Sequence, residues 1–406
     1  MRLLMAGSDL SKQKVLFLTQ VFYPDQSSTS QLFTPLLEEL VNKGFDVTVL
    51  AGRTVARNSD DKKIVKIVEC GLRVDHKRSL LLRFLAYASY LVHCFWLLLK
   101  TDRDTIVMAV TNPPMNAQLL YFASLLKKFK YEYIFLDIYP EGLEALGKLN
   151  NKYISSAWRY LNRLAYRRAQ NLYCLGRDMM DLISENYGIS SHDLIYLPHW
   201  SANENPTPID FLDSCSAKEL NLLDKFVVQY SGNMGIWHDM ETFVRAASLL
   251  KDDDSIVFLL VGDGVKKQSA KALSEKLNLR NIIWKDFVPF NQLSDSLACC
   301  HVSLISLRDG LEGIAVPCKF YGILESKRCV LALVPAKSEI ALAIDEDDLG
   351  FHIKPGEHHE LAEKIRLLAE KSDLVNSKAK NARHAYENKY SLESAALTLA
   401  NTLNGD

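Results

Sequence analysis

An α/β fold in two domains, each built on a parallel sheet, is what this sequence predicts, and three observations carry it. The chain has 406 residues, too many for one hydrophobic core, and domains of about 100–200 residues are usual. Near the start, a short apolar run (Val15–Thr19), a helical pattern (Gln31–Lys43, stopped by Gly44) and a second apolar run (Asp46–Leu50) follow one another. That is a βαβ unit, whose crossover makes its strands parallel. The alternation restarts after Pro198–Pro208, a stretch with three prolines and two asparagines that reads as a hinge.

Residues 1–14 read as a loose leader, and Gln20–Ser30 as a loop around Tyr23–Pro24. Leu80–Leu99 is the most apolar segment and approaches the roughly 20 residues of a membrane span. Arg83 and His93 interrupt it, so a buried helix is expected ahead of one lying on a bilayer, with a true span last. Strand Asp104–Val110 ends at Thr111–Pro114, and strand Tyr131–Ile138 runs into Asp137–Gly142. Loops beyond the carboxyl ends of parallel strands are where ligands bind. Lys152–Ala169 is a basic helix with Arg159, Arg163 and Arg167 on one face, either solvated or laid on anionic lipid. Asn171–Leu175 and Asp193–Leu197 complete the first set of strands.

The second set comprises strands Phe226–Tyr230, Ile256–Val261, Val302–Ile305 and Cys329–Leu333. Its helices are Met240–Leu250, Val265–Leu277, Cys318–Ser326 and Glu357–Lys371, and a helical tail, Leu374–Leu403, has no strand after it. The expected division is a first domain at 1–198, a hinge at 199–208, a second domain at 209–385, and a helix at 386–406 that crosses back to the first.

Net charge is −1, but it is unevenly spread. Residues 1–198 hold 25 Lys+Arg against 19 Asp+Glu, and the remainder holds 23 against 30. A basic first half points to an anionic partner such as a membrane surface. Nucleic acid is excluded as a partner, since dense basic runs interleaved with aromatics are absent. The eight cysteines form no C-x-x-C pair, which fits reduced thiols in a cytoplasmic protein and not a disulfide frame or zinc site. No secretory signal layout is present, because Asp9 and Lys12 interrupt the first residues. No H-E-x-x-H or similar spacing is found, so no metal is expected.

The chemistry centres on Arg308–Val334. Gly310, Glu312 and Gly313 open a small-residue loop that runs through Ile314 and Pro317 to Lys319 and a helix. Backbone N–H groups in such a loop, a helix start and an ammonium together can cradle a diphosphate. Taken alone, the same pattern also fits a plain strand–loop–helix with a surface lysine. Three further loops follow strands of the same set: Ser231-Gly232-Asn233-Met234-Gly235, Gly262-Asp263-Gly264, and the stretch at Phe287-Val288-Pro289. Four loops at one end of one sheet would frame a nucleotide, its base by Phe287 and Val288 and its diphosphate by the first and fourth loops.

These motifs in this order carry a family resemblance over nearly the whole chain: FYPD at 22–25, TNPP at 111–114, DIYPEG at 137–142, YLPHW at 196–200, YSGNMG at 230–235, VGDG at 261–264 and GLEGIAVPCKFYGIL at 310–324. The chain resembles the retaining glycosyltransferases of family 4, which have the GT-B fold of two Rossmann-like domains facing across a cleft. Within them it is most similar to the bacterial polysaccharide and O-antigen branch that includes N-acetylfucosaminyl transferases. The resemblance implies a nucleotide-sugar donor, a UDP-sugar, on the second domain and an acceptor on the first. It implies retention of anomeric configuration, and neither metal nor cofactor. The acceptor would be a glycan or a sugar linked to a lipid diphosphate, and the enzyme would be cytoplasmic, peripheral on the inner face of the plasma membrane.

By the same resemblance, Lys319, Glu312 and Asp137 are the expected catalytic residues. Gly232, Asn233, Gly235, His238, Gly262, Asp263, Gly264, Phe287, Val288, Gly313, Ile314, Pro317, Tyr321 and Glu339 are the expected donor contacts. Where many members carry an arginine and a lysine after the first glycine loop, this sequence aligns Asn233 and His238. The second of the family's paired glutamates aligns with Gly322, which leaves Glu312 and Glu339 for sugar or ribose contacts. Asp137 either orients the acceptor hydroxyl or caps its turn. His199 and His238 are the histidines nearest the expected site. Two other activities fit the same architecture, a UDP-sugar 2-epimerase and a non-catalytic nucleotide-sugar or glycan-binding subunit.

Overall fold

The structure is a computed structural model and describes residues 12–25, 27–53, 64–73, 80–201 and 207–405. Most of the leader and the middle of the hinge, residues 202–206, lie outside the described residues. Among the described residues, thirteen strands form two parallel sheets. The first sheet contains β1 (Lys14–Thr19), β2 (Asp46–Gly52), β3 (Lys66–Cys70), β4 (Ile106–Val110), β5 (Tyr131–Phe135), β6 (Asn171–Cys174) and β7 (Leu194–Tyr196), in the order β3-β2-β1-β4-β5-β6-β7. The second contains β8 (Phe226–Ser231), β9 (Ile256–Val261), β10 (Ile282–Lys285), β11 (Val302–Ser306), β12 (Cys329–Leu333) and β13 (Gly350–Ile353), in the order β10-β9-β8-β11-β12-β13. In both, the strand order reverses beside the first strand of the set, which is the doubly wound arrangement.

The central strands are continuous apolar runs because helices cover both faces. β11 and β12, VSLIS and CVLAL, are buried at every position. Helix Met240–Leu249 buries Met240, Phe243, Val244 and Ala247, one stripe of a 3.6-residue period. Asp239 caps it, Oδ1 accepting from Thr242 N at 3.1 Å. That stripe packs with Phe258, Leu260, Leu304 and Leu331 into the core of the second sheet.

Two compact units emerge. The first comprises Met1–Phe135, Tyr160–Tyr173 and Ala396–Asp406; the second comprises Leu136–Arg159 and Cys174–Ala395. Ala396–Asp406 therefore fall in the first unit, and Gln13 Nε2 donates to Leu403 O at 3.4 Å.

Three sequence expectations are corrected. The strand expected at Tyr131–Ile138 ends at Phe135, because the chain turns there and Ile138 N donates to Ile314 O, 3.0 Å away in the second unit. The apolar run continues past the strand because Ile138 is itself buried. Helix Leu80–Leu98 is not a buried helix: among its described side chains Ala86, Tyr90, Cys94 and Leu98 form the inward stripe, while Leu81, Phe84 and Trp96 are exposed. The helix expected from Gln31 starts at Ser28, drawing part of the Ser/Thr run into its first turn.

Candidate functional site

The carboxyl end of β8 is where the sequence-predicted residues converge. The chain leaves β8 through Gly232, at φ +138°, and a Cβ there would lie 2.2 Å from Lys319 Cε. Gly262, at φ +128°, follows β9, and its Cβ would fall 2.0 Å from Gly232 O. Both positions therefore need a residue without a side chain. The loops are stitched together by Met234 N to Asp263 O at 2.8 Å and Lys266 N to Met234 O at 2.9 Å. Asp263 Oδ1 accepts from Gly264 N at 2.8 Å.

Lys319 is the hub. Its Nζ donates to Tyr230 Oη at 2.7 Å and to Asn233 O at 3.0 Å, and it lies 3.2 Å from His238 Nε2. It also sits 4.8 Å from the centroid of the Tyr230 ring, a cation–π distance. Burial brings the Lys319 pKa down to about 8. Burial, and then the neighbouring ammonium, push His238 down to about 3, so this imidazole is neutral at physiological pH. Its Nε2 faces a donor, which puts the ring proton on Nδ1, and Nδ1 is buried without a hydrogen-bond partner. The helix after the loop is only Lys319–Glu325. Lys319 is its first residue, so the positive charge here comes chiefly from the side chain and not from a long helix dipole.

The loop before Lys319 is held from both sides. Gly310 N donates to Glu312 Oε2 at 2.9 Å, so Glu312 closes its own turn. Gly313, at φ +72°, donates to Asp178 Oδ2 at 2.9 Å. Ile314 is buried, and Ala315 pairs with Asp137 in an antiparallel bridge. Pro317 leads into Cys318 and Lys319, placing the DIYPEG segment against the lysine loop. Asp137 makes itself felt at the Cys318 thiol, whose pKa burial raises first, and burial lifts the Asp137 carboxyl to about 6. Gly142 lets this segment approach, since a Cβ would sit 3.3 Å from Ile314 Cγ2 and 3.7 Å from Trp237. Glu141 anchors it, accepting from Tyr187 Oη and Arg159 Nε at 3.0 Å. Arg159, expected on an open basic face, is thus occupied by Glu141 and Glu144.

Two expected contacts, Glu339 and Tyr321, are held in the core. Glu339 is 1% exposed, and its oxygens accept from Arg177 N (2.7 Å), Arg177 Nε and Nη2 (both 3.0 Å) and Tyr196 Oη (2.8 Å). With its acceptor sites filled in this way, Glu339 clamps two elements together instead of meeting a ribose. Tyr321 is buried and stacked on His199 at 5.2 Å, so both are core residues. His199 Nδ1 accepts from Trp200 N at 2.9 Å, and burial lowers its pKa to about 4. Phe287 is exposed, and Val288 packs partly against the Val227–Leu259 cluster.

Sequence reasoning missed Tyr230, Asp178 and Lys267. Lys267 is buried, and its Nζ donates to Gly262 O (2.6 Å), Lys285 O (3.2 Å) and Asp286 Oδ1 (2.6 Å), tying the second glycine loop to the Phe287 loop. Only Tyr230 carried a signal, as an aromatic hydroxyl at the end of a strand just before a glycine loop. A cavity of about 520 Å³ lies beside His238 and Arg308, lined also by Lys266, Met240 and Gly356.

The first unit has a polar floor of its own. Gln20, directly after β1, is 2% exposed, and neither its Nε2 nor its Oε1 has a hydrogen-bond partner. Gln20 N donates to Asn112 O at 3.0 Å, and Asn116 Nδ2 donates to the same carbonyl at 3.1 Å, while Asn116 Oδ1 is buried and unpartnered. Buried amides are ordinarily satisfied, so these atoms are ready for a hydroxylated ligand or ordered water.

Known proteins resemble this chain in sequence and in fold. Residues 215–385 match the family model of glycosyl transferases group 1. Among curated relatives, the chain is 27% identical over 274 residues to the probable glycosyltransferase WbjE of Pseudomonas aeruginosa, covering 67% of this chain and 68% of that one. In structure, it is similar to Anabaena HepE in complex with UDP, with a TM-score of 0.69 at 15% identity over 97% of this chain and 100% of that one. It is equally similar to WaaG, a glycosyltransferase involved in lipopolysaccharide biosynthesis, with a TM-score of 0.69 at 17% identity and the same coverage. Residues 215–385 thus carry the group 1 glycosyl transferase sequence, on a chain of GT-B fold.

Proposed function

We propose that this protein transfers a sugar from a UDP-sugar to a lipid-linked glycan acceptor in the synthesis of a cell-surface polysaccharide, with retention of configuration and without a metal ion. The observation that carries this reading is the Lys319 ammonium, half-enclosed by Tyr230, Asn233 O and neutral His238 in a loop where two glycines leave room for nothing larger. A HepE structure contains UDP and WaaG acts in lipopolysaccharide biosynthesis, which supports the donor and the pathway class.

In this reading the sugar C1–O bond breaks with its electron pair leaving on the diphosphate. The acceptor hydroxyl oxygen bonds C1 from the same face, and its proton passes to the departing diphosphate. Lys319 and the His238 Nδ1–H stabilise the charge that grows on the leaving group, the step in which fixed donors matter most. Gly232, Asn233, Gly235 and Gly262–Gly264 admit the diphosphate, Gly313, Ile314 and Pro317 shape the loop over the sugar, and Phe287 and Val288 flank the base. Asp137, kept partly protonated by burial, orients the acceptor hydroxyl. Glu312 holds the loop. Thermal-shift measurement tests the reading: UDP raises the melting temperature and NAD does not. Stabilisation by NAD alone, or by neither, overturns it.

A further inference from the structure

We infer that Lys267 is a positioning residue for the nucleobase of the donor: its buried ammonium fixes the place of the Phe287–Val288 segment, and with it the share of donor affinity that comes from the base. The inference rests on the reading that Phe287 and Val288 flank that base. Lys267 is 9% exposed. A lysine is almost never buried this far without partners, because the charge gives up its hydration. Here the partners converge from two strand ends. Gly262 O, after β9, accepts from Nζ at 2.6 Å, Lys285 O, at the end of β10, accepts at 3.2 Å, and Asp286 Oδ1 accepts at 2.6 Å. An apolar side chain of similar length would fill this volume without the desolvation cost. What the ammonium adds is a fixed distance between the loops that follow β9 and β10.

The two loops depend on it unequally. The glycine loop after β9 has further ties: Met234 N donates to Asp263 O at 2.8 Å, Lys266 N to Met234 O at 2.9 Å, and Gly262 N to Lys285 O at 3.1 Å. Gly264 is confined as well, since a Cβ there would lie 2.6 Å from Asn233 Oδ1 and from Met234 O. Phe287 and Val288 make no hydrogen bond to any other described residue. Phe287 is 58% exposed, a ring open to stacking on a base, and Val288 is only partly buried against its cluster. The segment is therefore directed from its start, at Lys285 and Asp286, where Lys267 holds two of its three acceptors. Groups that read a base edge must be held to within about 0.5 Å by neighbours that are themselves locked. Loss of the ammonium loosens the base side while the diphosphate side keeps its own hydrogen bonds.

The test titrates the full chain calorimetrically with UDP and with inorganic pyrophosphate, which has no base. In Lys267→Met, UDP affinity is expected to fall about ten-fold, the equivalent of one well-placed hydrogen bond, while pyrophosphate affinity stays at the wild-type value. Lys267→Arg keeps a cation within reach of the same carbonyls and recovers most of the UDP affinity. Lys267→Gln, too short to reach all three acceptors, lowers UDP affinity selectively in the same way and serves if Lys267→Met does not fold. Equal loss of UDP and pyrophosphate affinity in these variants means a general loosening of the unit and overturns the inference. So does unchanged UDP affinity in Lys267→Met or Lys267→Gln. The wild type separates the two levels of the reading. If it binds neither UDP nor pyrophosphate, the donor reading fails and takes this inference with it. If it binds UDP and the variants show no selective loss, the donor reading stands and the role of Lys267 alone is removed.

Discussion

Lys319 occupies the volume that a side chain at Gly232 would need: a Cβ on Gly232 would lie 2.2 Å from Lys319 Cε and 3.0 Å from its Nζ. Gly232→Ala displaces the lysine's flexible end from Tyr230 and Asn233, and strains a backbone held at φ +138°. The variant is expected to fold and to lose UDP stabilisation. Lys319→Ala leaves the loop intact and lowers turnover by about two orders of magnitude, the loss of one charge partner of the transition state. Single-turnover kinetics and thermal shift read the two effects separately, and full turnover by Lys319→Ala removes its phosphate role.

Donor affinity is expected to depend on pH through the same lysine. Burial lowers its pKa to about 8, so the ammonium is present below that value and lost above it. UDP titrations across pH 7–9 should show affinity falling as pH rises through about 8. His238, down at about 3, stays neutral throughout and contributes no slope. A flat profile in the wild type, or an equal slope in Lys319→Gln, contradicts the assignment.

Glu339 separates a structural role from a ligand role. If it clamps Arg177 and Tyr196, Glu339→Gln lowers stability by about 1–3 kcal/mol, tempered by the partial exposure of Arg177, and leaves the donor KM unchanged. Denaturant unfolding and steady-state kinetics measure both. A raised KM with unchanged stability would return Glu339 to the donor site.

In the first unit, Glu132 is buried in β5 with Tyr173 Oη 3.1 Å away, and burial raises its pKa to about 7. Its folded-state pKa lies above the ordinary value of 4.5. The stability it contributes is complete below that ordinary value and is lost as pH rises through about 7. Melting temperatures measured from pH 4.5 to pH 7.5 should decline more steeply in the wild type than in Glu132→Gln, with a difference on the order of 3 kcal/mol at the upper end. Parallel curves would show that Glu132 is ionised in the fold.

What the sequence made legible was whatever a local pattern can encode. The central strands are unbroken apolar runs, the glycine loops sit directly after β8 and β9, and Lys319 follows a small-residue loop; each is visible within a dozen residues. The edge strands β3, β10 and β13 were missed because KIVEC, IIWK and GFHI are only partly buried and lack a long apolar signature. The Glu339 clamp depends on Arg177, 162 residues away, and no spacing rule reaches that far. The helix at Leu80–Leu98 misled for a different reason: an apolar run states that a residue avoids water, not whether protein or lipid replaces it.

The composition of the first unit has a consequence for biosynthesis. Its strands, β1 to β6, lie within residues 14–174, yet Ala396–Asp406 belong to the same unit, and Leu403 O is engaged by Gln13. A nascent polypeptide emerging from the ribosome lacks that helical segment of the unit until the whole intervening unit has been translated. Cutting the chain after Ala395 would remove a piece of the part made first, and a bulky fusion at that end would burden the portion of the molecule farthest from it in sequence.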